Sequence, residues 1–174
     1  LDRTGASFED SYASILDRLS KKAVRAQIPM GAEGDFEGVV DLLAMKAYTF
    51  SGSMGEIVTE GEIPEQYKAD AEKYRAEFVE RIVENDEAQM NAYLEGNVPS
   101  LEELKATLRK AVINNQIFPV YTGSALKNKG VQLVLDAVVD YLPSPVDLVA
   151  VKGTNPKTGE EVERKASDSE PFTA

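Results

Sequence analysis

The chain has 174 residues, enough for one domain with a hydrophobic core, and its 30 Asp and Glu against 19 Lys and Arg give a formal net charge of −11. It contains neither cysteine nor histidine, which excludes disulfides, thiol nucleophiles, Ser-His-Asp triads and the usual zinc ligands. The acidic balance disfavours a broad nucleic-acid surface and no segment is apolar enough to span a membrane, so we expect a soluble, cytoplasmic protein without direct nucleic-acid or membrane contact.

A helix and a small sheet are predicted for the first third of the chain. Apolar residues recur at helical spacing from Phe8 to Leu19, and Ser7 is a suitable N-cap. Short apolar or alternating runs separated by glycine follow, and they predict strands of a mainly antiparallel sheet. These runs are AVRAQIPMG, DFEGVVDLL, MKAYTFSG and GEIVTEGEIP.

Three helices are predicted next. The first begins with Pro64 at the first helical position, and an apolar stripe runs along it as far as Ile82. A shorter helix ends at Gly96, and Ser100 with Glu103 forms a capping-box signature for the third helix. The middle of the chain is therefore a block of strands followed by helices.

The last predicted elements are a strand and a helix joined by a loop. QIFPVYTGSA has the pattern of a buried strand, and VQLVLDAVVDYL is apolar almost all round, which is typical of a helix packed on two sides. The loop between them, TGSALKNKG, lies where α/β proteins often bind a ligand. It fits a plain turn equally well, with Gly123 supplying backbone freedom and Asn128 capping the helix.

General catalytic and metal-binding motifs are absent from the sequence. GSALKNKG is not a P-loop, because Gly123 and Gly130 lie seven positions apart and no Ser or Thr follows the lysine. Paired carboxylates occur in EGE, ENDE and LEEL, but such pairs are expected by chance in so acidic a chain. We therefore predict no catalytic residue and no metal ligand, with a carboxylate-dependent metalloenzyme and an independent acidic protein-binding module as alternatives.

Two segments resemble the guanine-recognition segments of translational GTPases, and specifically those of elongation factor G. The segments are LDRTGASF at the start and GSALKNKGVQLVLDAVVDYLPSPVD near the end. The resemblance continues through IPMGAEGDFEGVVDLLAMKAYTF, EGEIP and SDSEPF, and so covers essentially the whole chain. Another translational GTPase, such as a paralogue of elongation factor G, is the nearest alternative.

The resemblance implies an α/β fold. It would be the C-terminal part of a P-loop-type GTPase domain, one strand plus flanking helices, carrying an inserted α/β subdomain with a mainly antiparallel sheet and three helices. Residues 1–19 and 117–145 would belong to the GTPase domain, 20–116 to the insert, and 146–174 to a linker and the next domain. We then expect a piece of a longer protein, and in this piece the strand QIFPVY lacks its parallel neighbours, so we expect its free edge to pair with another copy of the chain.

The resemblance also implies residues that read a guanine base. In this family an N-K-x-D motif and a later S-A-L loop do so, and Asp2 matches the end of the first motif. The loop residues are Ser124, Ala125, Leu126 and Lys127. Asp2 would accept two hydrogen bonds from the guanine N1 and N2 edge, the Ala125 N–H would donate to O6, and the Lys127 stem would pack along the base.

The parent protein would couple GTP hydrolysis to ribosomal translocation of tRNA and mRNA, with GTP or GDP and Mg²⁺ as its ligands. The phosphate loop, switch regions and magnesium ligands of the family are not in these residues, so we predict no hydrolysis and little or no nucleotide binding by this chain alone. The insert implies contact with the ribosomal stalk protein. Our candidates for that contact are acidic residues of the long helix, namely Asp70, Glu77, Glu80 and Glu84.

Overall fold

The chain has a mixed α/β structure, which confirms the predicted fold class. The computed structural model describes residues 1–147, 150–155, 158–167 and 169. They form two compact units, Leu1–Tyr141 and Leu142–Ala174. Among the helices of these described residues, none has both the length and the apolar character needed to cross a membrane.

Three of the five helices of the first unit begin at side-chain caps. They are α1 (Phe8–Arg18), α2 (Glu65–Val83), α3 (Glu87–Leu94), α4 (Leu101–Ile113) and α5 (Val131–Tyr141). Ser7 caps α1 by accepting from the Asp10 N–H, and Ser100 with Glu103 makes the predicted capping box. Pro64 is the N-cap of α2 and not its first residue, because its ψ of 143° is extended. The three predicted helices of the middle block are α2, α3 and α4.

Two sheets lie in the first unit. The strands are β1 (Ala23–Arg25), β2 (Gln27–Met30), β3 (Gly38–Asp41), β4 (Lys46–Ser51), β5 (Ile57–Gly61) and β6 (Phe118–Val120). Strands β2, β3, β4 and β5 form an antiparallel sheet in that order, as predicted. The run AVRAQIPMG, predicted for this sheet as a whole, is divided, because β1 pairs in parallel with β6. At the division, the Ala26 N–H donates to the Val120 carbonyl at 3.0 Å and the Ala26 carbonyl accepts from the Leu42 N–H at 3.0 Å.

The main core lies between the antiparallel sheet and helices α2 and α4. Val40 and Leu42 contribute from the sheet side, Phe78 and Ile82 from α2, and Leu108 from α4. The predicted stripe of α2 is therefore a core stripe. A second, smaller core contains Phe36, Val39 and Phe50, with Leu1, Tyr48 and Leu133 packed against it.

Two predictions of burial are wrong. Strand β6 is not buried, since Phe118 is 38% exposed and its two neighbours are half-buried. Helix α5 packs against α4 but buries only Tyr141, whereas Leu135 and Val139 are 60% and 78% exposed. Apolar periodicity reports which side chains favour burial, but it does not say that a neighbour exists to cover each face.

The second unit is small. A 3₁₀ turn at Pro145–Asp147 is followed by β7 (Val151–Thr154), which pairs antiparallel with β8 (Glu161–Arg164). Most of the SDSEPF segment lies outside the described residues.

Candidate functional site

The two segments implied as guanine readers lie against each other. The Leu1 nitrogen donates to the Gly123 carbonyl at 2.8 Å, across 122 positions of sequence. The Ser124 side chain lies close enough to the Asp2 carboxylate to lower its pKa. The fold thus brings Asp2 and the loop Thr122–Gly130 into one site, beyond the end of the parallel pair of strands β1 and β6.

The loop closes on itself through its backbone. The Ser124 N–H donates to the Lys129 carbonyl at 2.8 Å, and the Lys129 N–H donates back to the Ser124 carbonyl at 3.0 Å. Inside this closure the Asn128 N–H donates to the Ala125 carbonyl at 3.2 Å. Asn128 has a φ of +51° and lies in the turn, so its predicted role as cap of α5 is wrong. The Gly130 carbonyl instead accepts the first helical bond, from the Val134 N–H at 3.2 Å.

The hydroxyl of Ser124 organises the polar centre of the site. Ser124 is 2% exposed, and its Oγ accepts from the Lys127 N–H at 3.2 Å. Hydrogen bonding by the Ser124 hydroxyl, followed by the Asp2 N–H and the positive charges of the chain terminus and Lys127, holds the pKa of Asp2 below its usual value. Asp2 is therefore an ionised carboxylate at neutral pH, able only to accept hydrogen bonds.

The other loop residues face outward. Ala125, Leu126 and Lys127 are all exposed, and Leu126 is 77% exposed. In the part of the chain that the structure describes, the backbone N–H of Ala125 makes no hydrogen bond. The site therefore offers a fixed carboxylate acceptor and an unused backbone donor, the two group types that the guanine edge requires.

Residues that the sequence did not single out hold both segments in place. The Glu33 N–H donates to the Leu1 carbonyl at 2.9 Å, and the Glu33 carboxylate accepts from the Gly5 N–H at 2.7 Å. On the other segment, the Lys129 ammonium donates to the Phe36 carbonyl at 2.6 Å and lies 6.0 Å from the centre of the Phe36 ring. No single-sequence signal marks these anchors, because each depends on the tertiary approach of distant residues.

The turn between β4 and β5 also touches the loop. Gly55 has a φ of +65°, and a Cβ at this position would lie only 2.4 Å from the Lys127 carbonyl oxygen. The Gln132 side chain donates to the Gly55 carbonyl at 3.1 Å. Glycine is required at this contact by both conformation and space. A cavity of about 210 Å³ lies between the turn and the loop, lined by Phe50, Met54 and Lys127 among others.

The acidic residues selected for partner contact are exposed along α2. Asp70, Glu77 and Glu84 are seven positions apart and so lie in one row, with Glu84 at the C-cap and ion-paired to Arg81 at 2.9 Å. Glu77 and Glu80 also line a groove of about 320 Å³ between α1 and α2. Its apolar lining includes Leu16 and Phe78.

Metal coordination has no support in the described residues, where no group of three or more His, Cys, Asp or Glu could hold an ion. The residues that meet at the loop suit the base of a nucleotide. We assign none of the loop residues described above to the phosphates of a nucleotide or to Mg²⁺.

Comparison with known proteins gives the fold. No family model matches the sequence. The crystal structure of ttk003000868 from Thermus thermophilus is similar to this chain with a TM-score of 0.72 and 24% sequence identity, over 91% of this chain. The chain spans 25% of the length of that protein. This likeness shows a related α/β fold.

Proposed function

We propose that this chain is part of a translational GTPase of the elongation factor G type, whose whole protein couples GTP hydrolysis to ribosomal translocation. In this proposal Asp2 and the loop from Ser124 to Lys127 read the guanine base. The single observation that carries it is the hydrogen bond from the Leu1 nitrogen to the Gly123 carbonyl at 2.8 Å, which joins two segments that resemble that family separately.

Guanine selectivity follows from the two unsatisfied groups of the site. Guanine presents donors at N1 and N2 and an acceptor at O6, so it pairs with the Asp2 carboxylate and the Ala125 N–H. Adenine presents an acceptor at N1, which would face the carboxylate without a hydrogen bond. A site built to bond one partner rejects an analogue that leaves its polar groups unpaired by large factors.

The second proposed role is contact with the ribosomal stalk protein. Support comes from the acidic row on α2, whose exposed carboxylates suit the rim of an interface with a basic partner. The adjacent groove adds apolar surface and carries Lys21, Arg25 and Arg81 beside Glu77 and Glu80. Charges at such a rim act mainly on the association rate and its salt dependence.

Hydrolysis belongs, in this proposal, to a protein that also supplies a phosphate loop, switch regions and Mg²⁺. The 174 residues contain no P-loop motif, and we propose that this chain by itself neither hydrolyses GTP nor binds it strongly.

The base-reading role is tested by amide NMR with millimolar guanosine and adenosine. We expect guanosine to shift the Ala125 amide and adenosine to leave it in place. Ser124→Ala should remove the guanosine effect, because Asp2 loses the hydrogen bond that fixes it. Equal shifts with both nucleosides, or none with guanosine, would contradict base reading by this loop.

The partner role is tested by calorimetric titration with the C-terminal domain of the ribosomal stalk protein. We expect saturable binding that weakens on Glu77→Gln and on Glu80→Gln, each tested as a single substitution, while Glu102→Gln on the exposed side of α4 serves as the charge-matched control. A parallel titration with GDP should give little or no heat. No stalk binding would exclude the interaction surface, and tight binding of GDP would overturn our account of the phosphate half of the site.

A further inference from the structure

A larger cavity lies away from the proposed guanine loop. Its volume is about 600 Å³, and residues of β3, β4, β5, α4 and α5 line it together with Tyr121. The polar side chains at its wall include Asp41, Tyr48, Asp136 and Tyr141. Its size falls in the range of small-molecule sites, and none of the proposed base-reading residues belongs to it.

The wall of this cavity contains tyrosine hydroxyls that have no hydrogen-bond partner within the described residues. Tyr141 is 6% exposed and lines the cavity, yet within the described residues its hydroxyl makes no hydrogen bond. The hydroxyl of Tyr121, at the same wall, also has none. Each hydroxyl can both donate and accept a hydrogen bond, so both are available to a ligand that enters the cavity.

The wall carries excess negative charge. Four carboxylates line the cavity, and its two ammonium groups are already paired, Lys46 with Glu62 at 3.0 Å and Lys105 with Asp140 at 3.4 Å. Asp41 accepts from the Leu43 and Ala44 N–H groups at 2.8 Å each, but it has no ion pair. The carboxylates at the wall are Asp41, Glu60, Asp136 and Asp140.

Burial raises the pKa of Asp41, and the hydrogen bonds from the Ala44 and Leu43 N–H groups, followed by the charges of Lys105 and Arg75, act against it. The pKa values of two tyrosines at the wall reflect its negative charge. Burial, followed by Glu60, Asp41 and Asp136, raises the pKa of Tyr48 to about 12. Burial and the charges of Asp140 and Asp41 also raise the pKa of Tyr141. A negative field disfavours a second anion, and it favours a cation.

Apolar side chains complete the wall. Leu43, Leu133 and Ala137 line the same cavity, and the tyrosine rings offer faces that attract cations. A wall that combines carboxylates, hydroxyls and aliphatic groups suits a ligand with a positive end and an alkyl stem. A bare metal ion would make poor use of the apolar part.

We propose that this cavity binds an alkylammonium ion, with the ammonium against Asp41 and the Tyr141 hydroxyl and the alkyl stem over Leu133 and Ala137. The same chemistry is carried by a free polyamine and by a lysine side chain of another protein. This proposal uses none of the residues assigned to guanine or to the stalk protein, so either can fail without the other.

The test compares 1,4-diaminobutane with 1,4-butanediol, which has the same length and no charge. Calorimetry and amide NMR are run on the full chain at constant ionic strength. We expect saturable binding of the diamine with shifts at the Ala44 and Ala137 amides, and none with the diol. A further titration with Nα-acetyl-lysine methylamide separates the two sources. Tighter binding of the diamine would indicate a free polyamine, and tighter binding of the lysine derivative would indicate a lysine side chain of another protein.

Two conservative variants locate the site. Asp41→Asn keeps the oxygen that accepts the two backbone N–H groups and removes the charge, and Tyr141→Phe removes only the hydroxyl. We expect diamine binding at least about fivefold weaker in the first and about threefold weaker in the second, as for a lost charged and a lost neutral hydrogen bond. Tyr141→Phe should not lower the midpoint of urea denaturation, because the hydroxyl makes no hydrogen bond within the described residues. A lower midpoint would mean that the hydroxyl makes a structural hydrogen bond.

The control is Glu72→Gln, which changes the net charge as Asp41→Asn does but lies on the exposed side of α2, outside the cavity. We expect it to leave diamine binding unchanged. Equal weakening by the control would mean diffuse attraction to an acidic chain, and binding of the diol as strong as that of the diamine would remove the ammonium from the recognition. Either result, or no saturable shift at Ala44 and Ala137, would overturn the proposal.

Discussion

At the residue scale, Ser124 sets the ionisation of its partner. The hydrogen bond that it donates is the largest cause of the lowered pKa of Asp2. A carboxyl whose pKa is lower in the folded than in the unfolded state contributes stability above the unfolded pKa, and this contribution is lost as the pH falls through the folded pKa. Protonation of Asp2 at low pH therefore contributes to the loss of folding stability in acid.

Ser124→Ala should raise the pKa of Asp2 toward its ordinary value. The measurement is a carbon-detected NMR titration of the side-chain carboxyls in both proteins. Glu103 is an internal control, because a hydrogen bond from Ser100 chiefly lowers its pKa and that bond is untouched by the variant. An unchanged Asp2 titration would show that another group fixes this carboxylate.

Gly55 is the residue at which the β4–β5 turn meets the loop. Gly55→Ala forces a Cβ to within 2.4 Å of the Lys127 carbonyl oxygen, at a positive φ. We expect a loss of about 1–3 kcal/mol in the free energy of unfolding, measured by urea denaturation, together with a shifted Lys127 amide. Gly34→Ala is the control, because a Cβ there meets no atom within 4 Å and φ is not positive. Equal stability of the two variants would mean that the turn moves away at no cost.

At the element scale, α4 and α5 both carry apolar side chains but differ in how far these side chains are buried. Leu108 of α4 is fully buried, and Val139 of α5 is 78% exposed. We expect Leu108→Ala to lower the free energy of unfolding by about 2–5 kcal/mol, and Val139→Ala to change it by less than about 0.5 kcal/mol. Urea denaturation of both variants checks this contrast. A large loss from Val139→Ala would mean that α5 is covered in solution.

The elements also differ in how far the sequence predicts them. The cap of α1 and the capping box of α4 involve residues within three positions of each other, so local pattern suffices. The parallel pairing of β1 with β6 joins Ala23 to Phe118, and no local pattern specifies it. The uncovered face of α5 was missed for the same reason, since burial depends on neighbours that periodicity does not reveal.

The candidate site was also predicted only in part from the sequence. That Asp2 and Ser124 belong together was implied by the family resemblance and not by spacing. The anchors Glu33 and Lys129 were not found, because their hydrogen bonds form only after the β2–β3 turn has folded against both segments.

At the scale of the whole molecule, net charge and exposed apolar side chains have opposite effects on self-association. A formal charge of −11 disfavours contact between copies, while Phe118 and the outer residues of α5 offer apolar surface. Added salt screens the repulsion, since the Debye length falls from about 10 Å at 0.1 M to about 3 Å at 1 M.

We therefore expect self-association to grow with salt and with protein concentration. Light scattering after size-exclusion chromatography should give a higher average molar mass in 1 M than in 0.1 M NaCl. Leu135→Glu places a charge on the exposed part of α5 and should reduce the effect without loss of stability. A monomer under every condition would exclude pairing through either the free edge of β6 or α5.

The division between β1 and β2 at Ala26 affects how the molecule tolerates changes in the length of the segment that follows. The Ala26 N–H reaches the Val120 carbonyl at 3.0 Å, so the 90 or so residues between the two parallel strands leave and return at nearly the same point. The entropy of closing such a loop grows only slowly, by about 0.6 kcal/mol per doubling of length. Changes in the length of this segment therefore add little closure entropy and leave the β1–β6 register in place, provided that its contacts through Glu33, Phe36 and Gly55 are kept.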